Sequence, residues 1–283
     1  MVDDNELGLF LRTRREAITP DEVGLPAGPR RRAPGLRRSE VAALARVSVE
    51  YLTRLEQGRD RRPSPQVLAA LAGALKLSAG ERAHLLRLTK VSDPAYNCLG
   101  GDTLPARTVR PTVRSLLDRL DPTPAALLNR LSDILAHTAG YERLMGPIGL
   151  LDGVQPNVAR FVLTDERARV AYPDWEHVAD EEVAALKQGP FRADPHIAAF
   201  ADDLTVTAGE VFTRRVETVP GLPGASGVLR LVHPLAGHLR LDYEVMDLAA
   251  DDDQRLVVLL PADLETTAAL DRLAAPPVHL LAG

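Results

Sequence analysis

The stretch EVAALARVSVEYLTRLEQG, residues 40–58, limits what this chain can become more than any other. It holds two short apolar-faced segments with barely three residues between them. In the first, Val41, Leu44 and Ala45 share a helical face with Ala42 beside them; in the second, Leu52 and Leu55 do the same. Helices this short are unstable alone, so each must bury its stripe against the other and against flanking helices. So tight a break forces a steep crossing. Ala42 is small where the two would approach most closely, Val47 is an apolar plug at the turn, and Ser48 is a good N-cap for the second helix.

That combination describes a helix-turn-helix, in which the second helix presents its N-terminal side chains to a DNA major groove. The flanks supply further helices. Leu7, Leu11 and Phe10 predict a first amphipathic helix ending near Ala17; PSPQVLAALAGALKL predicts one from Pro65 to Leu75, and SAGERAHLLRLT one from Ser78 to Thr89. Five helices are therefore expected within residues 1–92. Between the first two, ITPDEVGLPAGPRRRAPGLRR is too rich in proline and glycine to be helical, and the aperiodic stretch 93–111, DPAYNCLGGDTLPARTVRP, reads as a linker.

Charge divides the chain at the same place. Residues 1–92 carry 17 Lys+Arg against 11 Asp+Glu, and the remainder 17 against 28, in a chain of 283 residues with a formal net charge of −5. A basic head on an acidic body is expected where only the head meets a polyanion. The lone cysteine, Cys98, excludes an internal disulfide framework. No run approaches the roughly 18 apolar residues of a membrane span, and MVDDNELG holds no apolar signal region. A soluble, cytoplasmic protein is expected.

Beyond the linker the periodicity changes. In HLRLDYEV, Leu239, Leu241, Tyr243 and Val245 alternate with His238, Arg240, Asp242 and Glu244, the pattern of a half-buried strand. GVLRLVH, joined to it through a PLAG turn, is a second strand, and RLVVLL from Arg255, after the DDDQ turn, a third. AALLNRL and DILAHT form a candidate hairpin, and helical segments lie around DWEHVADEEVAALKQ, DPHIAAFADDL and GEVFTRR. The expected fold is an all-α five-helix helix-turn-helix domain at 1–92, a linker at 93–111, and an α+β domain at 112–283 built on a meandering antiparallel sheet.

LGLFLRTRRE, LRRSEVAALARVSVEYLTRLEQGRDRRPSPQVLAALAGAL and ERAHLLRL together resemble the helix-turn-helix domain of XRE-type regulators, most closely the MmyB-like branch. AYPDW, DPHIAAFADDL, RLVHPLAGHLRLDYEVMDL and DDDQRLVVLLPAD resemble that branch's ligand-sensing domain. The resemblance implies a PAS-like ligand-binding and dimerisation domain fused to the DNA-binding head. The whole would be a homodimeric transcription regulator of double-stranded DNA, answering to a small-molecule effector, with no cofactor and no membrane partner. A palindromic operator follows from the dimer.

Carried over by position, the family's base-reading residues fall on Val49, Glu50, Thr53 and Arg54, and its phosphate-contacting residues on Arg38 and Ser48. The chemistry agrees: Arg54 can donate to guanine O6 and N7, Glu50 can accept from cytosine N4, and Val49 can touch a thymine methyl. Arg15 and Glu56 fall on a pair that ties the first helix to the recognition helix. Arg46 stands where the family commonly has glycine, so a somewhat different turn is expected, a left-handed non-glycine being disfavoured by roughly 1 kcal/mol. Arg59, Arg61 and Arg62, just past the recognition helix, suit backbone contacts. Arg30, Arg31 and Arg32 suit phosphates or a minor groove, with a solvated arginine loop as the competing reading.

An effector, apolar or fatty-acid-like, is expected between the sheet and its covering helices. Phe161, Tyr172, Trp175 and Tyr243 are candidate wall residues; plain core packing competes, because aromatics are only 4% of the chain and cores need them. His137 and Thr138 replace a Trp-Asn pair frequent in the family, and EVFTRRVETV lacks the Trp and His common there, which leaves the ligand class open. An enzyme is not expected. His177, His196, His233 and His238 lack metal-ligand spacing, no cysteine pair or glycine-rich phosphate loop exists, and GASG near Ser226 lacks the order of a nucleophile elbow. Asp251 to Asp253 read as a polar turn. The alternative to a sensor is a body that only dimerises or binds a protein partner.

Overall fold

The computed structural model describes residues 5–26, 35–91, 104–188, 191, 194–248 and 253–275. The chain divides into two compact units: Met1–Thr103 with Lys187–Pro195 and Val216–Leu222, and Leu104–Leu186 with His196–Arg215 and Pro223–Gly283. Cys98, residues 93–103 of the expected linker, and Asp251 and Asp252 of the expected turn lie outside the described residues.

The first unit contains helices α1 (Glu6–Ala17), α2 (Arg38–Ala45), α3 (Val49–Glu56), α4 (Pro65–Ala74) and α5 (Ala79–Val91). Side-chain caps set their starts. Asn5 accepts from Gly8 N, Ser48 from Tyr51 N and Ser64 from Val67 N, while Ser78 and Glu81 each accept from the other's backbone N–H. Phe10, Leu11, Leu36, Leu52, Leu55, Leu71, Leu75 and Leu85 are buried in one core, with Val47 packed against it.

Three sequence expectations change here. Leu44 is 38% exposed, because the buried arc of α2 runs through Val41, Ala45 and Ala42 and leaves Leu44 on its rim. Within the loop expected to be non-helical, Asp21–Val23 make a single 3-10 turn, too short to need an apolar periodicity. The turn between α2 and α3 does not depart from left-handed geometry: Arg46 sits at φ 54°, ψ 42°. Its N–H reaches Ala43 O at 3.3 Å and the N–H of Val47 reaches Ala42 O at 3.0 Å, a closing pattern that satisfies the last carbonyls of α2. The seam behind the turn outweighs the strain on Arg46.

In the second unit, α6 (Pro111–Leu120) leads into β1 (Ala125–Leu128) and β2 (Ile134–His137). Helices α7 (Ala139–Met145), α8 (Val158–Thr164), α9 (Glu166–Ala171), α10 (Trp175–Leu186), α11 (Pro195–Thr207) and α12 (Glu210–Thr218) follow. Strands β3 (Ser226–His233), β4 (Gly237–Asp247) and β5 (Arg255–Pro261) precede α13 (Leu264–Ala274). The sheet is antiparallel throughout, in the order β2-β1-β5-β4-β3. The last three strands meander as expected; the early hairpin joins them through β1 and β5. This is the α+β, PAS-like class expected of the body.

The two faces of the sheet have different tasks. Ala125, Leu127, Ala136, Leu256 and Val258 point one way and pack on Val113 and Leu117 of α6. By strand alternation Arg255, Val257 and Leu259 point the other way. There Arg255 meets Glu182 of α10, and Tyr243, the register partner of Leu259, feels the charge of Glu181.

Candidate functional site

At about 100° per residue, Val49, Thr53, Glu50 and Arg54 occupy one contiguous arc of α3, with Leu52 and Leu55 buried on the far side and Glu56 buried at the edge next to Val49. Val49, Glu50 and Arg54 are exposed and Thr53 is half-buried. The Thr53 hydroxyl donates to Val49 O at 2.7 Å, so its methyl and its accepting lone pair are what it can offer a partner. The Arg54 guanidinium lies 5.5 Å from the centroid of the Tyr51 ring, a cation–π arrangement that limits its wandering. Sequence reasoning missed Tyr51; its signal was the three-residue spacing to Arg54 on one helix.

Beside this arc sits a buried carboxylate. The Glu56 side chain is 1% exposed; Arg15 Nε donates to its Oε1 at 2.7 Å and Arg15 Nη2 to its Oε2 at 3.2 Å. Burial disfavours the Arg15 charge, but the hydrogen bonds and charge of Glu56 more than compensate, and its pKa lies above the ordinary arginine value. Arg38, first residue of α2, donates its Nε to Glu56 Oε2 at 2.7 Å while its side chain stays 42% exposed. The Asn5 amide donates to the Glu56 carbonyl at 2.9 Å and ties the start of α1 to the end of α3. The expected pair is therefore a triad, and Arg38 is anchored at one edge.

Ser48 caps α3 through its Oγ. Arg59 and Arg62 are exposed beyond the helix, and Arg61 Nε donates to Gly58 O at 2.9 Å. Arg30, Arg31 and Arg32 lie outside the described residues. In the core of the same unit His84 is fully buried, neither ring nitrogen has a hydrogen-bond partner, and the Phe10 ring stands edge-on 5.0 Å away. Desolvation, helped by Arg87, lowers its pKa to about 4.

In the second unit Phe161 and Tyr172 meet edge to face with ring centroids 6.5 Å apart, and the Trp175 indole N–H donates to Val162 O at 2.8 Å. Arg169 and Arg215 approach the Trp175 ring, 3.6 and 5.0 Å from its centroid. Arg215 is itself buried and paired with Asp180 and Glu176. Three of the four aromatic candidates are thus gathered by α8, α9 and α10. Tyr243 stands on β4, where a Cβ added to Gly224 or Gly227 would lie 2.8 Å from its hydroxyl. Its ring covers the glycine opposite it on the edge strand.

His137 and Thr138 keep a structural task. The Thr138 hydroxyl accepts from Tyr141 N and Ala125 N and donates to Thr123 O, capping α7 and pinning it to β1. His233 is buried at the β3–β4 turn, its Nδ1 accepting from Leu235 N and Ala236 N. Among the described residues no group of three His, Cys, Asp or Glu is placed to hold a metal ion. Ser132, Glu182 and Arg255, which sequence reading passed over, meet inside the unit. They come from a turn, a helix and a strand far apart in the chain, so no spacing announced them.

Residues 6–85 match the family model of a helix-turn-helix domain, and residues 109–273, more than half of the chain, match that of the MmyB-like transcription regulator ligand binding domain. The chain belongs to the MmyB-like transcription regulators. A search of curated proteins finds no match to it. In this MmyB-like regulator the helix-turn-helix match ends within α5, and the ligand-binding match runs from two residues before α6 into α13. The protein is accordingly a DNA-binding regulator with a ligand-sensing domain. Both matched families are regulator domains. Among the described residues no helix is long and apolar enough to cross a membrane.

Proposed function

We propose that this MmyB-like regulator works in the cytoplasm as a homodimer that sets two copies of α3 into successive major grooves of a palindromic operator. A small apolar or fatty-acid-like effector, bound by the body, changes their spacing or orientation. In this reading residues 1–92 bind DNA, 93–111 link, and 112–283 sense and dimerise. Val49, Glu50, Thr53 and Arg54 read bases; Arg38, Ser48, Arg59 and Arg62 hold phosphates, and Arg30, Arg31 and Arg32 extend that contact. Phe161, Tyr172, Trp175 and Tyr243 wall the effector site.

The observation that carries the reading is the exposed arc of α3, a set of donor, acceptor and apolar groups backed by the Glu56 triad and a buried seam. Footprinting on genomic fragments tests it. Two protected half-sites about one helical turn apart, bound by a species that sediments as a dimer, are expected. A single protected half-site bound by a monomer would contradict it. Effector action is tested by a metabolite and fatty-acid panel, scored for thermal stabilisation and for a change in operator affinity.

A further inference from the structure

The first unit is not made of N-terminal residues alone. Lys187–Pro195 and Val216–Leu222 belong to it, although both lie inside the stretch that matches the ligand-binding family. Helix α12 is divided at that border: it runs to Arg215 in the second unit and continues as Val216–Thr218 in the first. Helix α10 ends on Leu186, and the next residue is Lys187. Leu222 packs against the core that holds Phe10, Leu52 and Leu55. A sensing domain joined to the head by its linker alone would place no residue in that core.

Lys187 closes the arrangement. Its side chain is fully buried, and an ammonium has three protons to donate. Nζ donates to Val216 O at 2.6 Å, to Val219 O, and to Glu6 Oε1 at 2.8 Å. One carboxylate and two carbonyls meet the conditions under which a buried ammonium is tolerated, a compensating charge and satisfied donors. A Cβ on Gly221 would lie 2.2 Å from Lys187 O, so the two returning segments meet backbone to backbone.

Glu6 is the first residue of α1, and Asn5 before it caps that helix and donates to Glu56 O at the end of α3. Covalent and hydrogen-bonded links therefore run from Lys187 through Glu6 and Asn5 to the recognition helix. On the other side α10 and α12 are held as a pair: Arg215 of α12 bonds to Glu176 and Asp180 of α10 and lies 5.0 Å from the centroid of the Trp175 ring. A shift of either helix displaces Lys187 or Val216, and parting a buried ammonium from its carboxylate is costly, so Glu6 must follow. We propose that the Lys187–Glu6 pair is the joint through which the sensing domain and the recognition helix control each other. The proposal rests on the regulator reading above and names the link that reading requires.

Coupling between two sites is reciprocal, so DNA itself can serve as the probe. Hydrogen exchange is followed in the full chain, alone and with a duplex that it selects from a randomised pool. The duplex is expected to slow exchange in α3 and also, within the second unit, at the amides of residues 179–186 and 211–215 by at least about fivefold, the low end of such couplings. Lys187→Met, which keeps an apolar stem and removes the charge, should leave the protection of α3 in place and abolish that of α10 and α12, a loss that a merely structural lysine would not produce. Should this variant fail to fold, Lys187→Met combined with Glu6→Gln, which leaves no uncompensated carboxylate, carries the comparison. Protection confined to α3 in the wild type, or an undiminished response of α10 and α12 in a folded variant, overturns the joint and leaves DNA binding standing. No duplex-dependent protection in α3 overturns both.

Discussion

Arg38 Nε lies 2.7 Å from Glu56 Oε2, so the residue proposed to meet a phosphate is fixed by the last residue of the helix proposed to read bases. Glu56 also holds Arg15 from α1, and three helices thereby share one carboxylate. Glu56→Ala would leave the buried Arg15 guanidinium with only the half-exposed Glu16 carboxylate and the Leu36 carbonyl as partners. The expected cost is about 3 to 5 kcal/mol of stability in the first unit, read by hydrogen exchange at the amides of α1 and α3. Exchange unchanged from wild type would show that the triad contributes nothing. Arg38→Ala should instead weaken all duplexes alike and reduce the salt dependence of binding by about one phosphate.

The left-handed Arg46 makes the turn improvable. Arg46→Gly removes the Cβ strain at φ 54° while the bonds from the Arg46 and Val47 N–H groups remain. Stability of the first unit should rise by about 1 kcal/mol in urea denaturation followed by hydrogen exchange. A loss of stability would show that the Arg46 side chain makes a compensating contact.

His84 gives the first unit an acid sensitivity of predictable sign. Its folded pKa of about 4 lies below the ordinary 6.5, so between these values the unfolded chain holds a proton that the folded one does not. Its contribution is complete above pH 6.5 and is lost as the pH falls toward 4, on the order of 3 kcal/mol in all. His84→Leu should flatten this slope without lowering stability at pH 7, since no hydrogen bond to the ring is broken. An identical pH profile in wild type and variant would place the sensitivity elsewhere.

Arg54 and Arg62 should separate in kind. Arg54→Ala is expected to cost roughly 1 to 3 kcal/mol and to relax the preference at one base pair, whereas Arg62→Ala should weaken every sequence equally. Tyr51→Ala should resemble a mild Arg54→Ala, because the ring no longer confines the guanidinium. Competition titrations against single-base operator variants distinguish the three.

What the sequence disclosed was local. The Ser48 helix cap, the apolar stripes of α3 and α4, and the alternation in β4 each depend on residues a few positions apart, and all were legible. Helix α6 was hidden because RPTVRSLLDRL follows an aperiodic stretch and begins on a proline that also suits a linker. The short α7, α8 and α9 give too few turns for a period to register. Pairing of β1 with β5 and the meeting of Ser132, Glu182 and Arg255 are long-range events that no window of sequence contains. At Arg46 residue preference pointed to an altered turn, and tertiary packing decided otherwise.

Selection of duplexes from a randomised pool by the full-length chain, run beside the Arg54→Ala variant, tests the role of α3 most directly. A two-fold symmetric consensus that loses definition at one position per half-site in the variant is the expected result. No enrichment by the wild-type chain, or the same consensus from both proteins, would contradict the assignment of base reading to the exposed arc of α3.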